Sequence, residues 1–412
     1  MLSHLQTFRP FRVLVLWCCA GLFTLAATAC NDNAEDDPRA GTEEHPAKRV
    51  LLVGLDGVQY EKLQEANTPH LDTLTYTQAY TARDARGAQK QFTWSGAGWA
   101  TILTGTWVDM HGVTGNDEDF RYTTDTVFTH LHQELDAPFL ASIINWDVIH
   151  TQQDEYTEAI DFKEEFPWSN EDNDRSIVDI TDAALDAIER HSPDLTFAMY
   201  VNIDEVGHLE GFGDRYQAEI EAVDVEFGRL LDAIEAREHE EWLILVTTDH
   251  GRKLPEGKNH GELTDDERLI FIGMNRPGNA SFTNAFDTPH SEEFPLAAYP
   301  SQASITPTIL RYLGVEIAPS WQLADSPLIG AEGPMRLAFE GEEQTKLTWV
   351  SSTDSDAVIY KNNTEIGRVS ASSGAFEDED TEVAPTSEGI IRYVVEIDGS
   401  TASVSKRVDE SP

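Results

Sequence analysis

Cysteine is nearly absent from this chain of 412 residues, which has only Cys18, Cys19 and Cys30. All three lie within the first thirty residues, so the rest of the chain holds no disulfide and no thiolate metal site. A metal ion bound there would have to take its ligands from histidine and carboxylate side chains.

Basic residues are also scarce, with 29 Lys and Arg against 74 Asp and Glu and a formal net charge of −45. Binding nucleic acid through its phosphates requires clusters of Lys and Arg, so the balance argues against a nucleic-acid partner held by a basic surface. An anionic substrate would need a local source of positive charge, and bound metal ions can supply it.

One long apolar run, "VLVLWCCAGLFTLAA", follows Arg9 and Arg12 and leads into "ATAC", which ends at Cys30. The basic start, the short apolar stretch and the small residues are typical of an export signal. The segment 1–30 resembles a bacterial lipoprotein signal, so we expect an exported protein anchored at the cell envelope through lipidated Cys30. Plain secretion is the alternative. Residues 31–48 are polar and acidic, which predicts a disordered tether.

Continuous apolar runs alternate with helical patterns over residues 49–330. Such runs suit parallel strands buried on both faces of a sheet. They occur at 49–57, 138–145, 195–202, 242–249 and 269–275, and amphipathic helices are predicted within 171–190 and 214–237. The alternation predicts an α/β domain, a mostly parallel sheet with helices on both faces.

The sequence pattern changes near residue 335. From there on, short segments of alternating apolar and polar residues are separated by turns that contain Asn, Asp and Gly. This pattern predicts a separate all-β sandwich over 335–412, similar to fibronectin type III or immunoglobulin-like modules.

Potential metal ligands follow several of the predicted strands. Ligands collect at the carboxyl ends of the strands in a parallel α/β sheet, so these side chains are expected to meet. Each of these residues, taken alone, is more typical of an ordinary turn than of a metal site. The whole set, however, suits a pair of Zn²⁺-class ions. The six candidates are Asp56, Asp204, His208, Asp249, His250 and His260.

A candidate nucleophile, Ser95, lies in "TWSGAGWATILTGTW" at the start of a helix-like segment. The backbone amides at a helix N-terminus favour an incoming anion, which fits a nucleophile that attacks a phosphate ester. A plain helix N-cap is an equally good interpretation of Ser95 taken alone.

The ordered set "VGLDG", "SGAGWATILTG", "YVNIDEVGH", "TTDHG" and "NHGEL" resembles the alkaline phosphatase superfamily, and within it the nucleotide pyrophosphatase/phosphodiesterase type. The resemblance covers roughly residues 49–330 and excludes the β module. It implies a phosphorylated small-molecule substrate and two metal ions, for which Zn²⁺ is the best candidate.

The resemblance also assigns roles. Asp204, His208 and His260 match the ligands of one zinc ion. Asp56, Asp249 and His250 match those of the other, which also contacts the nucleophile. Ser95 matches that nucleophile and would form a phosphoserine intermediate.

The chain departs from the family in the residues after Ser95. Related phosphodiesterases have "FPN" there, and its Asn contacts the phosphate, whereas this chain has Gly96, Ala97 and Gly98. Asn116 is a candidate substitute for that contact. A Lys and Arg pair that one group of monoesterases carries is missing from "NWDVIH", which favours diesters. A phosphomonoesterase on the same site, and a catalytically dead surface binding protein, remain as alternatives.

Overall fold

The computed structural model describes residues 46–83, 89–169, 173–283, 295–341, 343–379, 385–386 and 389–408. The predicted signal and residues 31–45 of the predicted tether lie outside the described residues. Within the described ranges, no helix combines the length and the apolar character needed to span a membrane.

Seven strands form the central sheet of the larger part of the molecule. They are β1 (Ala47–Leu55), β2 (Thr75–Tyr80), β3 (Leu140–Ile144), β4 (Phe162–Glu165), β5 (Leu195–Tyr200), β6 (Glu240–Thr247) and β7 (Leu269–Met274). Their order across the sheet is β2-β7-β6-β1-β5-β3-β4. Only β7 runs against its neighbours, so the sheet is mostly parallel, as the apolar runs predicted.

Helices cover both faces of this sheet. Alternate residues of β1 point to opposite sides, as the twofold period of a strand requires. Val50 and Leu52 pack into a core shared with α2, α4 and α11, whereas Leu51 and Val53 pack into a core shared with α6 and α8. The helices are α1 (Tyr60–Glu65), α2 (Ser95–Thr104), α3 (Val108–His111), α4 (Val127–Glu134), α5 (Val148–Gln153), α6 (Asn173–His191), α7 (Asn202–Glu210), α8 (Asp214–Glu235), α9 (Asp265–Arg268), α10 (Ala280–Thr283) and α11 (Ile305–Tyr312).

The C-terminal part is antiparallel and all-β. Its strands are β8 (Met335–Glu340), β9 (Lys346–Val350), β10 (Asp356–Lys361), β11 (Thr364–Ser370), β12 (Ala375–Glu377), β13 (Ile390–Ile397) and β14 (Ser400–Arg407). They form a four-stranded sheet, β11-β10-β13-β14, and a three-stranded sheet, β12-β9-β8. Leu347 and Trp349 from the smaller sheet share one apolar core with Ile359 and Tyr393 from the larger sheet, which is the arrangement of a sandwich.

Candidate metal centre and active site

The six candidate ligands and Ser95 meet at the carboxyl ends of the central strands. Strand β1 lies between β5 and β6 and is parallel to both, so these three strands end side by side. Asp56 directly follows β1, and its backbone N–H donates to the carbonyl oxygen of Tyr200 at the end of β5 (3.0 Å). Asp249 and His250 follow β6 closely. The topology therefore brings together groups that are almost two hundred residues apart in sequence.

Asp204 and His208 lie on a helix, α7, which begins two residues after β5 ends. The apolar run of β5 predicts a strand end here, and the helix that follows is not evident from the sequence pattern. The spacing of four residues places both side chains on one helix face, with His208 Nε2 3.1 Å from Asp204 Oδ2. A helix fixes the two side chains relative to each other more firmly than a loop would.

The imidazoles of His250 and His260 both direct Nε2 into the cluster. The Nδ1 atom of His250 lies 2.9 Å from the carbonyl oxygen of Gly251, and that of His260 lies 2.7 Å from the carbonyl oxygen of Thr93. A carbonyl oxygen only accepts hydrogen bonds, so Nδ1 carries the proton in each ring and Nε2 keeps a lone pair. Metal-binding histidines are commonly oriented in this way. His208 Nε2 lies 3.0 Å from His260 Nε2.

Two carboxylate oxygens in the cluster are buried without a hydrogen-bond partner. Asp56 accepts a hydrogen bond from the indole of Trp99 through Oδ2 (2.9 Å), and Asp249 accepts one from the Gly57 amide through Oδ1 (3.1 Å). The second oxygen of each carboxylate is unpaired. Unpaired buried carboxylate oxygens are costly, and a cation bound between them removes that cost. The donor set therefore fits metal ions.

Two groups of three side chains have donor atoms within 4.8 Å of one another: Asp204, His208 and His260 in one, and Asp56, Asp204 and His250 in the other. The first group is the one predicted from sequence. In the second, Asp204 stands where Asp249 was predicted. Asp249 lies beside this group all the same, with Oδ2 3.4 Å from His250 Nε2. Oxygen and imidazole ligands without thiolates are compatible with Zn²⁺.

The environment sets the charge of these groups unequally. Burial, and then Asp249, raise the pKa of Asp56 well above its ordinary value. Burial, and to a lesser extent the charge of Asp204, also raise the pKa of Asp249 well above its ordinary value. Burial also acts to raise the pKa of Asp204, but Arg252 and the neighbouring imidazoles outweigh it and hold that pKa well below the ordinary value. Burial lowers the pKa of His250, which favours the neutral imidazole that a metal ion requires.

Ser95 is the first residue of α2, and its hydroxyl faces the cluster. The N-cap position belongs to Trp94, so Ser95 is not the plain N-cap that its sequence context also allowed. Ser95 Oγ lies 3.1 Å from His250 Nε2. The N–H of the next residue, Gly96, donates to Asn116 Oδ1 (2.9 Å), so Asn116 lies beside the candidate nucleophile. Its predicted contact with the substrate phosphate stays a prediction.

The structure also shows contributors that sequence reasoning missed. Arg252 directly follows "DHG" and forms an ion pair with Asp204. A basic residue inside a motif of ligands, in so acidic a chain, was the signal that could have revealed it. Among the tryptophans close to Ser95 in sequence, Trp99 and Trp107 are buried, whereas Trp94 is 40% exposed next to Ser95.

Comparisons with known proteins show which protein family this chain is similar to. A family model described as type I phosphodiesterase / nucleotide pyrophosphatase matches residues 50–260, about half of the chain. The matched range contains all six candidate ligands and Ser95.

Curated relatives are similar over shorter stretches. The 2,3-bisphosphoglycerate-independent phosphoglycerate mutase of Natronomonas pharaonis is 32% identical over 158 residues, which are 37% of this chain and 27% of the relative. The enzyme of the same name from Cellvibrio japonicus is 33% identical over 135 residues, 33% of this chain and 23% of the relative. The match thus spans about a quarter of the length of these relatives.

Among solved structures, an inactive murine ectonucleotide pyrophosphatase/phosphodiesterase 5 in complex with AMP is 13% identical to this chain, with a TM-score of 0.45. The alignment covers 65% of this chain and 95% of that one.

Proposed function

The chain belongs to the type I phosphodiesterase / nucleotide pyrophosphatase family, and from that premise we propose that it hydrolyses phosphodiester or pyrophosphate bonds with Ser95 as nucleophile at a two-zinc centre. The observation that carries the proposal is the position of Ser95 Oγ, 3.1 Å from His250 Nε2 inside a cluster of carboxylates and imidazoles. A serine hydroxyl needs such an environment to become reactive.

In this proposal Asp204, His208 and His260 hold one ion, and Asp56, Asp249 and His250 hold the other. When bound, the ions supply Lewis-acid stabilisation of the attacking and leaving oxygens of an in-line displacement. The carbonyl oxygens of Gly251 and Thr93 keep His250 and His260 in the tautomer that presents Nε2 to the site. Trp99 orients the carboxylate of Asp56 in the same way.

Ser95 Oγ forms a bond to phosphorus and gives its proton to solvent, while the bond from phosphorus to one ester oxygen breaks. That oxygen takes up a proton from solvent and leaves as the first alcohol, and a covalent phosphoserine ester remains. Water then cleaves the new Ser95–phosphorus bond and restores the hydroxyl. Ser95 lies at the N-terminus of the ten-residue helix α2, whose dipole would favour the negative charge of a phosphoryl group on Ser95. Because the Gly96 amide occupies Asn116 Oδ1, the Nδ2 group of Asn116 is the part of that side chain available to a phosphate oxygen.

The charges around the cluster favour diesters over monoesters. A monoester carries a second negative charge and is bound best by an additional free cation. The two cations next to the "DHG" segment already have anionic partners, because Arg252 pairs with Asp204 and Lys253 with Glu262. A phosphomonoesterase on the same site is the second candidate function.

Hydrolysis of bis-p-nitrophenyl phosphate and p-nitrophenyl phosphate by the zinc-loaded protein tests the proposal. We expect faster turnover of the diester, and a loss of at least about 10³-fold in kcat for Ser95→Ala, because the covalent route disappears. Ser373→Ala, on the exposed surface of the β module, is the matched control and should keep full activity. Unchanged turnover by Ser95→Ala would refute the nucleophile, and faster monoester turnover would favour the second candidate.

We also propose export and anchoring through lipidated Cys30. The support is the sequence alone, a basic start followed by an apolar run and small residues before the cysteine. Labelling of cells with a radioactive fatty acid should mark the wild-type protein and leave Cys30→Ser unlabelled.

A further inference from the structure

Arg252 is a buried cation at the centre of the ligand cluster. Its side chain is fully buried, and its Nη1 donates to Asp204 Oδ1. The other donors of the guanidinium bind backbone, with Nε on the carbonyl oxygen of Gly257 and Nη2 on that of Lys258 (3.1 Å). The planar guanidinium is thus held on three sides, which a flexible ammonium group cannot reproduce.

The chain leaves room for this side chain at two glycines of the ligand segments. A Cβ atom at Gly207, between Asp204 and His208 on α7, would lie 2.5 Å from Arg252 Cζ. A Cβ atom at Gly57, directly after Asp56, would lie 2.8 Å from Arg252 Nη1. Both glycines therefore allow the guanidinium to reach Asp204, and an added methyl group at either would displace it.

The contact divides the two oxygens of Asp204 between two tasks. Arg252 holds Oδ1, while Oδ2 faces His208 Nε2 at 3.1 Å. With one oxygen fixed, the carboxylate cannot rotate freely, and its second oxygen stays directed toward the imidazole of His208. Substitution of a residue that orients a metal ligand in this way typically lowers the metal affinity by 10- to 100-fold.

We propose that Arg252 is a positioning residue of the metal centre, which fixes Asp204 so that Asp204, His208 and His260 are preorganised to bind one ion. This inference rests on the proposed function. It goes beyond that function because Arg252 is not itself a metal ligand, yet it would fix the geometry of the site formed by Asp204, His208 and His260.

A competing physical effect acts in the opposite direction. A positive charge beside Asp204 also repels a metal ion, so charge alone predicts that removing it would tighten metal binding. Lysine separates the two effects because it keeps the charge but cannot bind Asp204 and two carbonyl oxygens at once. Positioning predicts weaker binding for both Arg252→Lys and Arg252→Met, whereas charge alone predicts no change for Arg252→Lys and tighter binding for Arg252→Met.

The test is the zinc affinity of the full metal-free chain, measured by competition with a chromogenic chelator. We expect the affinity to fall by about 10- to 100-fold in Arg252→Lys and Arg252→Met. Gly207→Ala should lower it in the same direction, because its methyl group meets the guanidinium. Gly213→Ala is the matched control and should bind zinc like the wild type, because a Cβ atom there meets nothing within 4 Å.

Circular dichroism checks that each variant folds. If Arg252→Met does not, the milder variants Arg252→Lys and Gly207→Ala decide the question. Wild-type affinity in both, or tighter binding in Arg252→Met, overturns the inference while the proposed function stands. A wild-type chain that binds no zinc overturns both.

Discussion

At the scale of single residues, the three carboxylates of the cluster differ in how readily they ionise. Burial, with Asp249 adding to it, raises the pKa of Asp56, and burial likewise raises the pKa of Asp249. The hydrogen bond to Asp204 raises the pKa of His208 above its ordinary 6.5. In the metal-free protein, Asp56, Asp249 and His208 therefore keep their protons to higher pH than ordinary carboxyls and imidazoles do.

These shifts predict how pH changes the effect of chelation. A group whose pKa is raised in the folded state contributes stability that is present at low pH and lost as pH rises through the folded pKa. For Asp56 and Asp249 that loss begins above 3.8, and for His208 above 6.5. Through these three groups, rising pH lowers the stability of the metal-free protein, whereas metal binding strengthens as the ligands lose their protons.

We therefore expect a chelator to lower the melting temperature of the zinc-loaded protein more at about pH 8 than at about pH 5.5. Differential scanning calorimetry with and without the chelator measures both values. An equal drop at the two pH values would contradict the assignment of these residues as metal ligands.

At the scale of elements, helix α2 has to approach the Asp249 loop very closely. A Cβ atom at Gly98 would lie 2.9 Å from the Cβ of Asp249 and 3.0 Å from its carbonyl oxygen. Glycine at this position lets the helix place Ser95 against His250. Residues 96–98, where the chain departs from the family pattern, are therefore small residues at the start of α2, and their small size lets the helix lie close to the Asp249 loop.

Gly98→Ala should displace α2 from the Asp249 loop and lower kcat by about 10- to 100-fold, since small misplacements of a nucleophile are costly. Steady-state kinetics on bis-p-nitrophenyl phosphate measures this, with Gly213→Ala again as the control. Full activity in Gly98→Ala would show that the close approach of α2 has no catalytic importance.

Sequence reasoning was strongest for elements whose burial is uniform. Strands β1, β3, β5, β6 and β7 were recognisable because both of their faces are buried, which makes the apolar run continuous. The antiparallel direction of β7 could not be predicted from the sequence, because a strand's direction depends on its connections and not on its composition. Helix α7 was missed because it directly follows a strand and carries polar ligands on its face.

The same limit applies to the site. The candidate ligands were recognisable because each follows a predicted strand, and parallel strands end together. The pairing of Arg252 with Asp204 joins residues 48 positions apart and depends on how α7 packs against the 251–258 loop. No local pattern encodes such a contact.

At the scale of the whole molecule, the β sandwich is attached to the α/β part through buried charges. Arg392 on β13 donates to the Asp109 carbonyl oxygen (2.5 Å) and lies 3.5 Å from its carboxylate, and Ser405 on β14 donates to that carboxylate (2.6 Å). Asp109 lies on α3, which also carries His111, and His111 contacts Thr101 of α2 (3.2 Å). The sandwich therefore supports the helix that presents Ser95.

Arg392→Ala should destabilise the whole chain by about 3 kcal/mol, because it leaves the buried carboxylate of Asp109 without its counter-charge. Arg368→Ala removes an exposed ion pair with Glu365 on the same sandwich and should leave the free energy of unfolding nearly unchanged, because solvent screens that pair. Chemical denaturation of both variants measures the difference. Equal effects would mean that the buried pair does not join the two parts energetically.

We propose that the buried cluster is a two-metal centre that cleaves phosphate esters. Its most direct test is the release of p-nitrophenolate from bis-p-nitrophenyl phosphate as zinc is titrated into the metal-free protein. We predict negligible release without zinc and a rise that saturates at two ions per chain. Release at an undiminished rate without any metal, or none at any zinc concentration, would contradict the claim.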